Sequence, residues 1–280
     1  MIRLVPATFL AVTLVASAGC SLLGRSGESG SSPAAVEAIA AASVGDHRSE
    51  SNIARNAYRH PVETLSFFGL EPDMSVIEVL PGSGLWYTEI IAPVLAEEGR
   101  YIAAGYDVSR PDLPDYVTRA QAALVDRFAN ERDTYGDLDL AILHPPTIEL
   151  GADESVDMVL TFRGTHGLVN GGAAEAAYAA FFAVLEPGGV LGVVQHRAGP
   201  ANDGTKFTGY LPQEKVVAIA EGAGFVLEAS SEVNANGNDT TDYEKGVWTL
   251  PPTLTLGDTD REKYLAIGES DRMTLRFRKP

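Results

Sequence analysis

Two groups of residues in this sequence have the types and spacing to do chemistry. The first is a glycine turn. Pro81-Gly82-Ser83-Gly84 follows a short apolar run, residues 76–80, that carries one acid, Glu78, and it precedes an amphipathic segment at residues 85–98. That order is strand, turn, helix, in which unpaired backbone N–H groups at a helix start face a ligand. Gly82 and Gly84 lack a Cβ, so the turn can be tight and a ligand can approach the backbone closely. Any α/β protein can carry a glycine in such a turn, and the turn alone assigns no ligand. The second group closes two later apolar runs: Arg163 and His166 after residues 156–162, and His196 after residues 190–195. An imidazole titrates near neutral pH, so either histidine can act as a general base. Either can equally hold its loop by hydrogen bonds to backbone carbonyls.

Strands must bring these groups to one edge. Apolar runs at residues 76–80, 100–105, 138–144, 156–162, 190–195 and 225–233 read as strands, with a last one at 273–278. Between them lie segments of helical spacing at 85–98, 115–132, 173–185 and 212–224. Strands alternating with helices predict an α/β fold, a doubly wound and mostly parallel sheet covered on both faces. In such a sheet a ligand lies beyond the carboxyl ends of the strands, where the glycine turn, Arg163, His166 and His196 all fall. Residues 46–65 hold the most basic patch of the chain, with Arg48, Arg55, Arg59 and His60, and read as a helix broken at Pro61. It is either a cover for the ligand mouth or a solvated, charge-paired face. The long polar loop at residues 234–253 is either a lid or a cap over a sheet edge anchored by Trp248.

Composition limits the alternatives. The 280 residues contain 21 basic and 38 acidic side chains, a net charge of −17, which should repel nucleic acid and anionic membrane surfaces. The five histidines lack the H-x-x-x-H spacing of a zinc protease, no G-x-S-x-G elbow occurs, and the Asn234–Asn238 region has its glycine too early for a calcium loop, so no metal is expected. The single cysteine, Cys20, excludes disulfides within the chain and thiolate clusters. It follows one positive charge, an apolar run at residues 4–16 too short to span a bilayer, and Ser17-Ala18-Gly19. This resembles a bacterial lipoprotein signal. The resemblance implies a signal peptide at residues 1–19 and lipidation of Cys20. A flexible tether is expected at 20–45 and the folded domain at 46–280. Ser21 implies sorting to the outer membrane, with the chain facing the periplasm and touching the membrane through its N-terminal lipid only.

An acid in the first strand followed by G-x-G and a helix resembles the first motif of class I S-adenosylmethionine (SAM)-dependent methyltransferases. The stretches TFRGTHGL, LEPGGVLGVVQHR, GVWTLPPT and AIGESDRMTLRF resemble a group of exported predicted methyltransferases. The resemblance implies a Rossmann-like methyltransferase fold with an antiparallel last strand and SAM as cofactor, held by Glu78, Pro81, Gly82, Ser83 and Gly84. Pro81 stands where the family usually has glycine and stiffens the turn. The family's ribose-binding acid falls nearest Gly105, and Asp107, two residues on, either replaces it or caps the following turn. His144-Pro145-Pro146 occupy the place of the acid that reaches the adenine amine. On this reading Arg163, His166 and His196 serve an unidentified methyl acceptor in the cell envelope. The same features fit a lipid-anchored binding protein that keeps the fold without the chemistry.

Overall fold

The computed structural model describes residues 30–111, 113–200, 202 and 206–280. The signal peptide, Cys20 and residues 20–29 lie outside the described residues. Helices α1 (Pro33–Ser43), α2 (Glu50–Ile53), α3 (Asn56–Arg59) and α4 (Pro61–Phe68) lead into strand β1 (Ser75–Val79). Then follow α5 (Thr88–Leu95), β2 (Arg100–Gly105), α6 (Asp115–Asn130), α7 (Arg132–Tyr135), β3 (Leu138–His144) and β4 (Thr147–Glu149). The second half contains β5 (Val156–Phe162), α8 (Thr165–Asn170), α9 (Ala174–Val184), β6 (Leu185–His196), α10 (Gln213–Gly222) and β7 (Val226–Ser231). A 3-10 turn at Gly246–Thr249, α11 (Arg261–Ile267) and β8 (Arg272–Arg278) complete the chain.

The strands form an eight-stranded sheet in the order β4-β3-β2-β1-β5-β6-β8-β7. β3, β2, β1, β5 and β6 are parallel, while β8 runs antiparallel between β6 and β7 and β4 folds back antiparallel on β3. This is the expected mostly parallel α/β sheet with its antiparallel last strand. Side chains alternate between its faces with period two. Val76, Tyr101 and Ala103 join a core with Ile90, Ile91 and Phe128 on one face. Ile77, Val79 and Ile102 join Tyr178, Phe181 and Leu275 on the other. Burial on both faces explains why these strands read as apolar runs rather than as alternating ones. The strand order reverses across the sheet between β1 and β5, the point beyond whose carboxyl ends open α/β sheets bind their ligands.

The expectation of a flexible tether through residue 45 is corrected for its described part. Ser32 caps α1 by accepting from the Ala35 amide at 3.2 Å, and Pro33 occupies the first helical turn. Ser31 donates to the Leu70 carbonyl at 2.7 Å, and Ser32 Oγ donates to Glu71 at 2.8 Å. Ala35 and Ile39 are wholly buried as α1 packs on α4 and α5. The alanines do not weaken this packing but allow it, because small side chains let the helices approach closely. Burying Ile39 alone contributes about 1.5–3 kcal/mol. Within the described residues the packed structure thus includes residues 31–45, ahead of the expected start at 46.

Candidate functional site

The glycine loop leaves β1 through Leu80, which has φ of 50° and anchors its amide on Ala104 O at 2.8 Å. Leu85, at φ 47°, ends the loop by donating its amide to Gly82 O at 2.9 Å. Between these two left-handed residues Gly82, Ser83 and Gly84 are exposed, and a Cβ added at either glycine would meet nothing within 4 Å. The amides of Gly82, Ser83 and Gly84 have no acceptor among the described residues. One expectation is corrected here. The turn does not open directly into a helix, because Leu85, Trp86 and Tyr87 intervene before Thr88 and the first amides of α5 bond to Leu85 and Tyr87 carbonyls. The amides open to a ligand are those of the loop.

Glu78 braces this loop from behind. Its face of β1 is the one covered by α5, and its Oε2 accepts from Thr88 Oγ1 at 2.8 Å and from Tyr101 OH at 2.7 Å. Only 4% of the residue is exposed, and burial pushes its carboxyl up to about 7 against the two hydrogen bonds that favour the ionised form. Asp107 lies at the same edge, two residues past β2. Its Oδ1 accepts from the Ser109 amide at 3.0 Å and from Ser109 Oγ at 2.6 Å, so it caps the turn. Beside it, the Tyr106 and His144 rings meet edge-on at 5.4 Å, and the acid implied after β3 is absent.

At the ends of β5 and β6 the structure brings Arg163, His166 and His196 together. Arg163 directly follows β5 with φ of 60°, its amide held by Val194 O at 2.7 Å. Its Nε is buried without a partner, and burial pulls its guanidinium down to about 10. His166 stands in the first turn of α8 with Nδ1 3.4–3.5 Å from the Gln195 amide group, and its ring is 5.6 Å from that of His196. His196 Nδ1 lies 2.6 Å from Ser270 Oγ. Burial, with His166 and Arg163 nearby, holds His196 well below the usual imidazole range, and burial lowers His166 too. In both rings burial favours the neutral imidazole. The two differ in access. His196 is tied to Ser270, whereas His166 lines a cavity of about 270 Å³ with Lys206, Phe207, Thr208, Tyr210 and Lys215. Trp248 brings the long polar loop to this place, with its ring 6.0 Å from His166 and 5.2 Å from Phe207. A larger recess of about 590 Å³ lies at the opposite end of β2 and β3, beside the Arg100–Asp139 ion pair, and is remote from these groups.

The basic patch is neither a solvated face nor one broken helix. It forms the short helices α2 and α3 and sends its arginines inward. Arg48, 4% exposed, pairs with Glu89 at 3.4 Å, and Arg48 and Arg59 each lie over the Trp86 ring, at 4.9 and 4.7 Å. Arg55 and Arg59 reach Glu269 at 2.7 and 2.9 Å, and Arg272 reaches it at 3.2 Å. These arginines hold the Glu269 carboxyl down at about 2 although burial opposes them. Asn52 of α2 donates to Gly84 O at 3.2 Å and accepts at its own carbonyl from Trp86 Nε1 at 2.9 Å, so this segment also covers one side of the glycine loop. Glu269, Arg272 and Tyr87 were missed as site residues. The i, i+4 spacing of Arg55 and Arg59 sets two charges on one helix face, but no local pattern points to the distant Glu269 that they meet.

No protein-family model matches the chain, and no protein of curated function matches it. Solved structures do share its fold. A SAM-dependent methyltransferase from Aquifex aeolicus superposes with a TM-score of 0.53 at 15% identity, over 81% of this chain and 93% of that one. The cyclase SpnF gives 0.55 at 16% identity over 85% of both chains. A putative sarcosine dimethylglycine methyltransferase from Galdieria sulphuraria gives 0.50 at 13% identity, over 83% of this chain and 91% of that one. At such identities the likeness establishes the Rossmann-like methyltransferase fold. The cyclase among these names illustrates that a fold does not fix a reaction.

Proposed function

We propose that this chain is a SAM-dependent methyltransferase-like protein of the cell envelope, lipid-anchored at Cys20, facing the periplasm from the outer membrane, and acting on a small-molecule or envelope acceptor. The observation that carries this reading is the glycine loop. Its three amides lack protein acceptors, and it opens at the point where strand order reverses, with room beside both glycines. That cradle fits the methionine part of SAM, and Asp107, at the same sheet edge, would take the ribose hydroxyls. Pro81 and Glu78 act indirectly, Pro81 by stiffening the loop and Glu78 by bracing its base. When bound, SAM supplies an electrophilic methyl group on its sulfonium. The protein's share is alignment, which requires few side chains. Arg163 orients an anionic or carbonyl-bearing acceptor with its planar fork. His166 takes the acceptor's proton at Nε2, the nitrogen turned away from Gln195, because it is the histidine with access to the cavity. His196, fixed by Ser270, keeps His166 in place.

One observation favours a second reading, a lipid-anchored binding protein without activity: His144 stands where the resemblance implies an adenine-binding acid. Native mass spectrometry of the purified full-length protein in detergent separates the two when combined with a methyl-transfer assay on envelope extracts. A retained nucleoside and labelled methyl incorporation support the enzyme. A ligand-free chain that transfers no label supports the binding protein.

A further inference from the structure

Around Glu269 the chain buries more positive charge than it neutralises. Arg55, Arg59 and Arg272 bond to this carboxylate, and Arg163 lies within its electrostatic reach, so four guanidinium groups surround one acid. Their donors are not all used. Among the described residues, Arg55 Nη2, Arg59 Nη1 and Arg163 Nε are buried without a hydrogen-bond partner, and so is the hydroxyl of Tyr87. Arg59 is 1% exposed and Tyr87 3%, so water does not satisfy them as it would at a surface. Leaving a buried donor unpaired is destabilising, and more so when it is charged. Four in one neighbourhood is an arrangement that an anion would relieve.

The elements explain why these groups converge. Arg55 stands just before α3 and Arg59 at its end, and Arg163 directly follows β5. Tyr87 stacks on Phe162 with ring centroids 3.5 Å apart, and Arg163, the residue after Phe162, acts on it electrostatically. Arg59, Arg163, Arg272 and Glu269 all act on Tyr87 electrostatically, and Arg163, Arg272 and Arg59 all act on His196. The cluster thus lies between the glycine loop and the two histidines. We propose that Arg55, Arg59, Arg163 and Tyr87 form a pocket for an oxyanion, and that the protein's substrate is a small acid that places its carboxylate or phosphate there with its reacting atom toward His166. This deepens the methyltransferase reading and rests on it for the word substrate. The aromatic cavity wall of His166, Phe207 and Tyr210 then receives the body of the molecule.

The probe is inorganic phosphate, titrated into the full-length protein in detergent against sodium chloride of equal ionic strength and followed by thermal melting. Phosphate should raise the melting temperature with a millimolar or tighter Kd. Arg163→Gln should weaken it at least tenfold, about 1.4 kcal/mol. That variant removes no intramolecular hydrogen bond of the side chain, and Tyr87→Phe keeps the stack on Phe162 while removing only the hydroxyl; it should weaken phosphate severalfold. S-adenosylhomocysteine should leave phosphate binding intact. Stabilisation no greater than in chloride overturns the proposal, as does stabilisation that both variants retain. Displacement of phosphate by S-adenosylhomocysteine overturns it too, because the pocket would then serve the donor's own carboxylate. Phosphate binding that depends on Arg163 and Tyr87 in a protein that ignores S-adenosylhomocysteine supports the anion pocket and removes only the donor reading.

Discussion

Replacing Glu78 by glutamine should stabilise this protein at pH 8 and not at pH 4.5. Glu78 is buried among α5, β1 and β2, and its carboxyl is pushed from the ordinary 4.5 up to about 7. The folded state therefore holds this proton more tightly than the unfolded state. Its contribution to stability is fullest below pH 4.5, falls as pH rises to about 7, and is flat above that. The difference converts to about 3 kcal/mol of ionisation cost at pH 8. Glutamine keeps an oxygen to accept from Thr88 and Tyr101 but has no charge to desolvate. Urea unfolding of both proteins between pH 4.5 and 8 isolates the effect, because every other titration is shared and cancels in the difference. The stability of the variant relative to the parent should climb by about 3 kcal/mol across that range, less whatever water penetration relieves. A difference that does not change with pH refutes the burial argument, whatever its absolute size.

Other perturbations have equally definite outcomes. Glu269→Gln should cost about 3–5 kcal/mol in urea unfolding at pH 7, because it leaves Arg55, Arg59 and Arg272 buried without their acid; a loss under about 1 kcal/mol would contradict a dry cluster. In the parent that stability, held by a carboxyl at about 2, should disappear as pH falls from 4.5 toward 2, opposite in sign to Glu78. His166→Ala should lower the methyl-transfer rate at least a hundredfold with little change in donor affinity. His196→Gln should instead remove the loss of stability that the parent shows as pH drops below about 6.5, since the folded chain resists protonating this buried imidazole. A rate in His166→Ala equal to the parent's would overturn its proton-transfer role. Cys20→Ser should release the protein from membranes or leave an uncleaved precursor; a mature-sized variant that still sediments with membranes would refute lipidation.

The strands were legible because most of them are buried on both faces. Arg100–Gly105, Leu138–His144 and Val156–Phe162 fold with the bounds their apolar runs suggest. β4 escaped because it is three residues long beside two prolines, too short for any period. Helix α1 falls in the span expected as a flexible tether because its interface is made by Ala35, Ile39 and Ala42, whose small volume hides a close contact. At the site, the glycine loop, Arg163, His166 and His196 were visible as local signals at strand ends. The arginine cluster was not, since Arg55 and Glu269 are 214 residues apart and only the fold makes them neighbours. A basic patch in an acidic chain suggests a solvated surface, and burial with a distant acid reverses that inference.

The central claim is that a donor binds at the glycine loop, and calorimetric titration of S-adenosylhomocysteine into the parent and into Gly84→Val tests it most directly. A Cβ at Gly84 meets no protein atom within 4 Å, so the variant should melt as the parent does. The same branched side chain would enter the space a ligand needs, and affinity should fall at least tenfold, about 1.4 kcal/mol. Heat of binding in the parent that collapses in an equally stable variant is the predicted result. No heat at millimolar ligand, or equal affinity in both proteins, would contradict the account.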